Sequence, residues 1–256
     1  MIDESFDKEQ MEGPAQPWEF RSKPAWQRLI IMLGGVIVNF ILGLFIYSMM
    51  MWYFGDKFFP AENITEGIAI THPVMTDMGF ENGDKILKVG NRSFDKFEPN
   101  ILTTEIVLNN ANKIQIERNG QPMTLTVHDS ISNILSSYGR GLLFAPRSKT
   151  VIKEISKNSN ASKAGLLAGD QIVSVDGNPT VYTDQFTDLM SGIKSRAVEL
   201  GVIRNGALQN MTVDVNAQGR LVGFVREQFL DQYESESIRY GFFEAIPAGI
   251  LSLIHI

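Results

Sequence analysis

The first 28 residues mix charged and apolar positions without a period, and then the charges stop. From Leu29 to Phe54 there are 26 consecutive residues without a charge. About 20 apolar residues let a helix cross a hydrocarbon core of roughly 30 Å. At ~1.5 Å per residue this run reaches ~39 Å, so it tilts or extends into the interface. Trp26 before it, and Trp52 and Tyr53 at its end, suit the headgroup level. A buried core helix rarely stays uncharged for so long, and a signal peptide has a shorter apolar region nearer the start. The pattern predicts a transmembrane helix over 29–54. Arg21, Lys23 and Arg28 precede it, whereas only Lys57, beside Asp56, follows closely. That asymmetry puts the N-terminus in the cytoplasm and everything beyond Phe54 outside.

Within the run, Gly34, Gly35, Gly43 and Asn39 stand out. Small residues allow another helix close approach, and an intramembrane Asn needs hydrogen-bond partners. Simple helix–helix packing and a role at an active site both fit.

Beyond the helix the pattern becomes short alternating runs broken by turn residues, and it repeats. Gly79–Val89 matches Gly165–Val175 at an offset of 86 residues, and Arg118-Asn119-Gly120 matches Arg204-Asn205-Gly206 at the same offset. Thr126-Val127 and Thr212-Val213 continue it. The second copy predicts strands over 150–155, 171–175, 197–204 and 211–215, and a short helical turn over 161–165. A helix capped by Thr183 or Asp184 presents Phe186, Leu189, Met190 and Ile193 on one face. Asn205-Gly206 supplies a tight hairpin turn.

Composition narrows the function. A net charge of −6 argues against a general nucleic-acid binder. The absence of cysteine excludes disulfides, thiolate metal sites and a cysteine nucleophile. His72, His128 and His255 form no H-E-x-x-H pattern, and neither a G-x-S-x-G elbow nor a phosphate-binding loop occurs. The chain therefore holds no self-sufficient catalytic constellation and no zinc-ligand set.

The string A-G-L-x-A-G-D-x-I-x-x-V-D-G, Ala164 to Gly177, resembles the PDZ domain in its bacterial form. The expected fold is one transmembrane α-helix followed by two mixed α+β PDZ domains, each a small, partly open β-barrel with two helices. The expected boundaries are an entry loop over 1–28, the membrane helix over 29–54, PDZ domains over 55–130 and 138–217, and over 218–256 a linker with the start of a further membrane segment. PDZ domains add a peptide as a strand and commonly hold its terminal carboxylate on backbone N–H groups. The corresponding loop of the second copy is read as Gly141-Leu142-Leu143-Phe144, with Leu143 where the family has glycine. In the first copy it is read as Gly55-Asp56-Lys57-Phe58, whose aspartate repels a carboxylate. A receptor role and a plug or spacer role both remain open.

The larger arrangement is similar to the middle of the regulator-of-sigma-E protease family, site-2-type intramembrane zinc metalloproteases. Phe20–Arg28 looks like the family's entry into its second membrane helix, and Gly35-Val36-Ile37-Val38-Asn39-Phe40 resembles its G-P-x-x-N-F motif with Val36 for proline. The resemblance implies substrate positioning by Asn39, with Gly35 beside it. It implies zinc as cofactor, held by motifs that this chain lacks, so the chain alone is expected to be inactive. Ala245–Ile256 is uncharged but only 12 residues long, and the chain is read as a piece of a longer protein. The implied partners are the bilayer and single-pass membrane proteins such as anti-sigma factors, or peptides held by the PDZ domains. The implied location is the bacterial inner membrane with periplasmic PDZ domains, and the implied setting is the envelope stress response. The alternative is a non-catalytic, membrane-tethered tandem PDZ adaptor that binds envelope peptides.

Overall fold

The computed structural model describes residues 17, 20–137, 141–216 and 223–254. They form two compact units: the residues up to Lys57 together with Ser237 onward, and Phe58–Glu236. Element order is α1 (Ala25–Phe54), β1 (Asp56–Phe58), β2 (Ile68–Ile70), α2 (Pro73–Asp77), β3 (Lys85–Val89) and β4 (Arg92–Ser93). There follow α3 (Ile101–Thr103) with a π-helical turn over Thr104–Leu108, β5 (Lys113–Arg118), β6 (Gln121–Thr126), α4 (Asp129–Ser137) and β7 (Phe144–Pro146). Next are β8 (Ile152–Ile155), α5 (Asn160–Lys163), β9 (Gln171–Val175), β10 (Asn178–Pro179), α6 (Thr183–Ser191), β11 (Ala197–Arg204) and β12 (Ala207–Asp214). β13 (Phe224–Arg226), α7 (Phe229–Gln232), β14 (Glu236–Ile238) and α8 (Ala245–Ile254) complete the chain.

In the first unit, α1 starts one turn earlier than the apolar run, because the extended Pro24 offers its carbonyl to the N–H groups of Gln27 and Arg28. It ends at Gly55, whose φ of 71° suits glycine. The helix has 30 residues, long and apolar enough to cross a membrane, with none of them buried. α8 packs on its C-terminal half. There Gly249 lies so close to Ser48 that a Cβ would stand 2.6 Å from the Ser48 nitrogen, and Phe242 meets Trp52 edge-on at 5.6 Å. Glycine at such a crossing lets two backbones touch.

In the second unit the duplication becomes two matching frameworks. Each has a four-stranded antiparallel sheet, in the order β4-β3-β5-β6 and β10-β9-β11-β12. Each sheet has its own apolar core, around Ile86, Ile114 and Ile116 in the first and Ile172, Leu200 and Val202 in the second. Asn119-Gly120 and Asn205-Gly206 take positive φ at both positions, the geometry that lets a two-residue turn follow strand twist.

The structure also matches the two frameworks through a polar element. Asp84 and Asp170 are buried, and Arg118 and Arg204 reach them with paired hydrogen bonds of 2.6–2.8 Å while also binding the carbonyls of Gly79 and Gly165. Each aspartate also accepts a backbone N–H, from Glu81 and Leu167 respectively. The repeat thus conserves one fork that ties the hairpin to the turn before its central strand.

Two ladders close the repeats. β7 pairs with β2, and β13 pairs with β8. This differs from the sequence-based expectation: the strand that follows Gly141-Leu142-Leu143 completes the first repeat rather than opening the second. The reason is burial. Leu143 and Phe144 are 1% and 0% exposed, and Phe144 packs against Phe94 and Phe97 of the first repeat's core. The second repeat correspondingly takes Phe224–Arg226 from the stretch read as linker. The helix 183–191 also differs in its cap: Tyr182 is the N-cap residue, its N–H received by Gln185, and Asp184 is turned to Arg147.

Candidate peptide-binding groove

The second repeat presents a strand edge facing a helix. β13 is held to β8 with Phe224 opposite Ile155, Val225 opposite Glu154 and Arg226 opposite Ile152. The Gly223 carbonyl accepts from Ser156 N–H at 2.7 Å, and Glu227 N–H donates to Val151 at 2.9 Å. Gly223 is irreplaceable in this position. Its φ is 103°, and a Cβ would lie 1.9 Å from the Cβ of Ser159, the residue that caps α5 through its hydroxyl. Among the described residues β13 has no strand on its other side.

That free edge faces α6. Phe224 and Phe186 meet at 6.5 Å, and Arg226 lays its guanidinium 5.9 Å from the Phe186 ring centre. Arg226 Nη1 donates to the Thr187 hydroxyl at 3.1 Å. Burial lowers the pKa of Arg226, because desolvation disfavours its charged form. A groove of about 710 Å³ runs beside it, walled by Ile70, Ala145 and Pro146 of the first repeat and by Thr187, Asp188 and Arg226 of the second.

A polar cluster fixes the wall between the repeats. Arg147 forms a two-pronged ion pair with Asp184, at 2.8 and 3.1 Å, and stacks 3.9 Å above the Tyr182 ring. Tyr182 donates its hydroxyl to Glu66, and Tyr233 donates to the Arg147 carbonyl. Burial, with Glu66 nearby, pushes the Tyr233 phenol up to about 12. The hydrogen bond to Glu66, with burial, raises that of Tyr182.

The sequence-predicted residues fall in different places. Leu142, Leu143 and Phe144 lie in the first repeat, where Thr71 donates to the carbonyls of both Leu142 and Leu143. Leu143 keeps an ordinary negative φ, so it does not reproduce the backbone of Gly223. Gly141 is exposed at the start of that stretch. Gly55 caps α1, and Asp56–Phe58 pairs with β14. Asn39 and Gly35 lie exposed on α1 in the other unit, with nothing within 4 Å of a Cβ at Gly35. Sequence reasoning missed Gly223, Phe224 and Arg226. The available signal was Gly139-Arg140…Phe144 recurring as Gly219-Arg220…Phe224, an offset of 80 rather than 86.

Zinc finds no donor set here: among the described residues no three His, Asp or Glu side chains converge to hold a metal.

Residues 139–215 match the family model described as PDZ domain. Over 250 residues the chain is 25% identical to the metalloprotease MmpA of Caulobacter vibrioides, covering 93% of this chain and 60% of that protein. It is 35% identical over 83 residues to the regulator of sigma-E protease RseP of Escherichia coli, covering 31% of this chain and 18% of RseP. Among solved structures, the PDZ domain of the SdrC-like protein of Listeria monocytogenes aligns at 16% identity with a TM-score of 0.28, over 31% of this chain and 87% of that one. The chain thus spans about 60% of the length of one curated relative and less of the other. It is similar to metalloproteases of the MmpA and RseP kind and carries a PDZ domain.

Proposed function

We propose that this relative of the RseP-type metalloproteases is the membrane-anchoring, substrate-selecting portion of a site-2-type intramembrane protease. The observation that carries it is similarity to a metalloprotease along nearly the whole chain, apolar helix and both repeats included. In this reading α1 crosses the inner membrane and both repeats are periplasmic PDZ domains. They gate or select single-pass membrane proteins such as anti-sigma factors, and the family's role in envelope stress follows. A Neisseria meningitidis relative, 25% identical over 207 residues, is named as a zinc metalloprotease. Zinc would be held by residues other than those described, and no chemical step is assigned to these residues. Asn39, with Gly35 on the same exposed stretch, would position substrate. The repeats act by excluding bulky envelope domains and by adding a peptide strand at a free edge.

The test is a chimera in which this chain replaces the aligned segment of MmpA, assayed with a single-pass membrane reporter. Restored cleavage supports the proposal, with Asn39→Ala lowering it. A chimera that inserts and accumulates like MmpA, yet leaves the reporter intact, refutes it.

A second reading is a non-catalytic adaptor, favoured by the open β13 edge. It is distinguished by peptide binding to the chain without any contribution to cleavage in the chimera.

A further inference from the structure

Arg226 is unlike the other arginines around it. Of the six described arginines in the Phe58–Glu236 unit, Arg92, Arg118, Arg147, Arg196 and Arg204 each pair with a carboxylate. Arg226 alone has only the Thr187 hydroxyl and the face of Phe186. The nearby acids do not serve it. Asp184 is held by Arg147, and Glu227 and Asp188, which line the same groove, form no ion pair with Arg226. A partly desolvated guanidinium without a counter-charge is costly, and its planar fork matches a carboxylate.

Its position gives that cation a role. Along β13, Val225 is 52% exposed, whereas Phe224 and Arg226 turn toward α6. They are two residues apart on one face, as strand alternation requires. A peptide that adds to this edge sets its side chains opposite theirs, at Cβ separations of about 5 Å. If it runs antiparallel, the side chain facing Arg226 comes two residues before the one facing Phe224. The latter meets Phe186 as well, and Pro146 and Ile70 wall the same groove.

We propose that the groove between β13 and α6 selects peptides of the form acidic–any–apolar, with Arg226 as the residue that reads the acidic side chain. The inference rests on the reading of the second repeat as a peptide receptor. On binding, the carboxylate takes the guanidinium from Thr187, so the contact that bridges strand and helix in the free protein is exchanged for an ion pair.

The experiment uses the full chain in detergent micelles, immobilised and exposed to a pool of decapeptides randomised over their last five positions, with bound peptides read by mass spectrometry. The expected result is about tenfold enrichment of Asp or Glu two residues before an apolar position, the scale of one charge-assisted contact. Arg226→Gln abolishes that enrichment, and Arg226→Glu converts it to Lys or Arg, a reversal that loss of folding does not produce. Peptides bound without acidic preference, or a preference unchanged in Arg226→Gln, overturn this inference and leave the receptor reading standing. If no peptide binds, both fall.

Discussion

Replacing Asp170 by Asn tests the fork that both repeats share. Asp170 is 1% exposed and accepts from Arg204 at 2.7 and 2.6 Å and from Leu167 N–H at 2.8 Å. Burial alone would raise its pKa, but the hydrogen bonds from Arg204 and Leu167, with the Arg204 charge, outweigh burial and hold it below 3.8. An amide keeps one acceptor and turns an NH₂ toward the guanidinium, so at least one charge-assisted bond is lost along with the charge. Such bonds contribute about 1.5–3 kcal/mol each, and hydration of the partly exposed arginine offsets some of the loss. The net destabilisation is about 2–4 kcal/mol. For a unit of this size that lowers Tm by about 4–16 °C. The assay is thermal unfolding of the full chain in detergent, followed by the β-sheet circular dichroism signal. It also has a pH signature. A lowered folded-state pKa means that the contribution is complete at neutral pH and is lost as pH falls through that lowered value. Wild type therefore loses stability as the medium is acidified below the ordinary aspartate range, by an amount that Asp170→Asn does not share. A Tm change under ~2 °C at pH 7, or identical acid profiles, would refute the reasoning.

Other consequences follow from the same geometry. Gly223→Ala forces a Cβ into Ser159 at a φ of 103°, and is expected to cost about 2 kcal/mol or more and to free β13 from β8; amide exchange at Ser156 reads this, and unchanged protection there would count against it. Gly249→Leu puts a side chain where Ser48 backbone lies and is expected to separate α8 from α1; a disulfide engineered across that crossing should form readily in wild type and not in the variant. In an alkaline titration followed at 295 nm, one tyrosine should ionise only at about pH 12, and Tyr233→Phe should delete that step while sparing the others.

Much of the architecture is written in local pattern. The apolar run required a helix, and α1 covers it, beginning earlier only because Pro24 supplies the first carbonyl. The 86-residue offset required two similar units, and Asn205-Gly206 predicted a turn that the structure contains there and repeats at Asn119-Gly120. The strands 171–175 and 197–204 match because alternation and turn residues act within a few positions of themselves.

What local pattern did not carry was strand ownership. Gly141–Phe144 stands next to the second repeat in sequence, yet an edge strand pairs wherever its apolar side chains find a core, and Phe144 finds Phe94 and Phe97 of the first. The same rule moves Phe224 into the second repeat and brings Arg226 against α6. Likewise, Asp84, Asp170, Arg118 and Arg204 are visible as repeated residues, but their pairing joins positions 34 residues apart. The membrane-length helix, the duplication and its turns were legible in the residues alone, because each depends on neighbours along the chain. Which strand completes which repeat, and where a cation faces a free edge, emerged from the packed fold, because both depend on burial and charge contacts between distant segments.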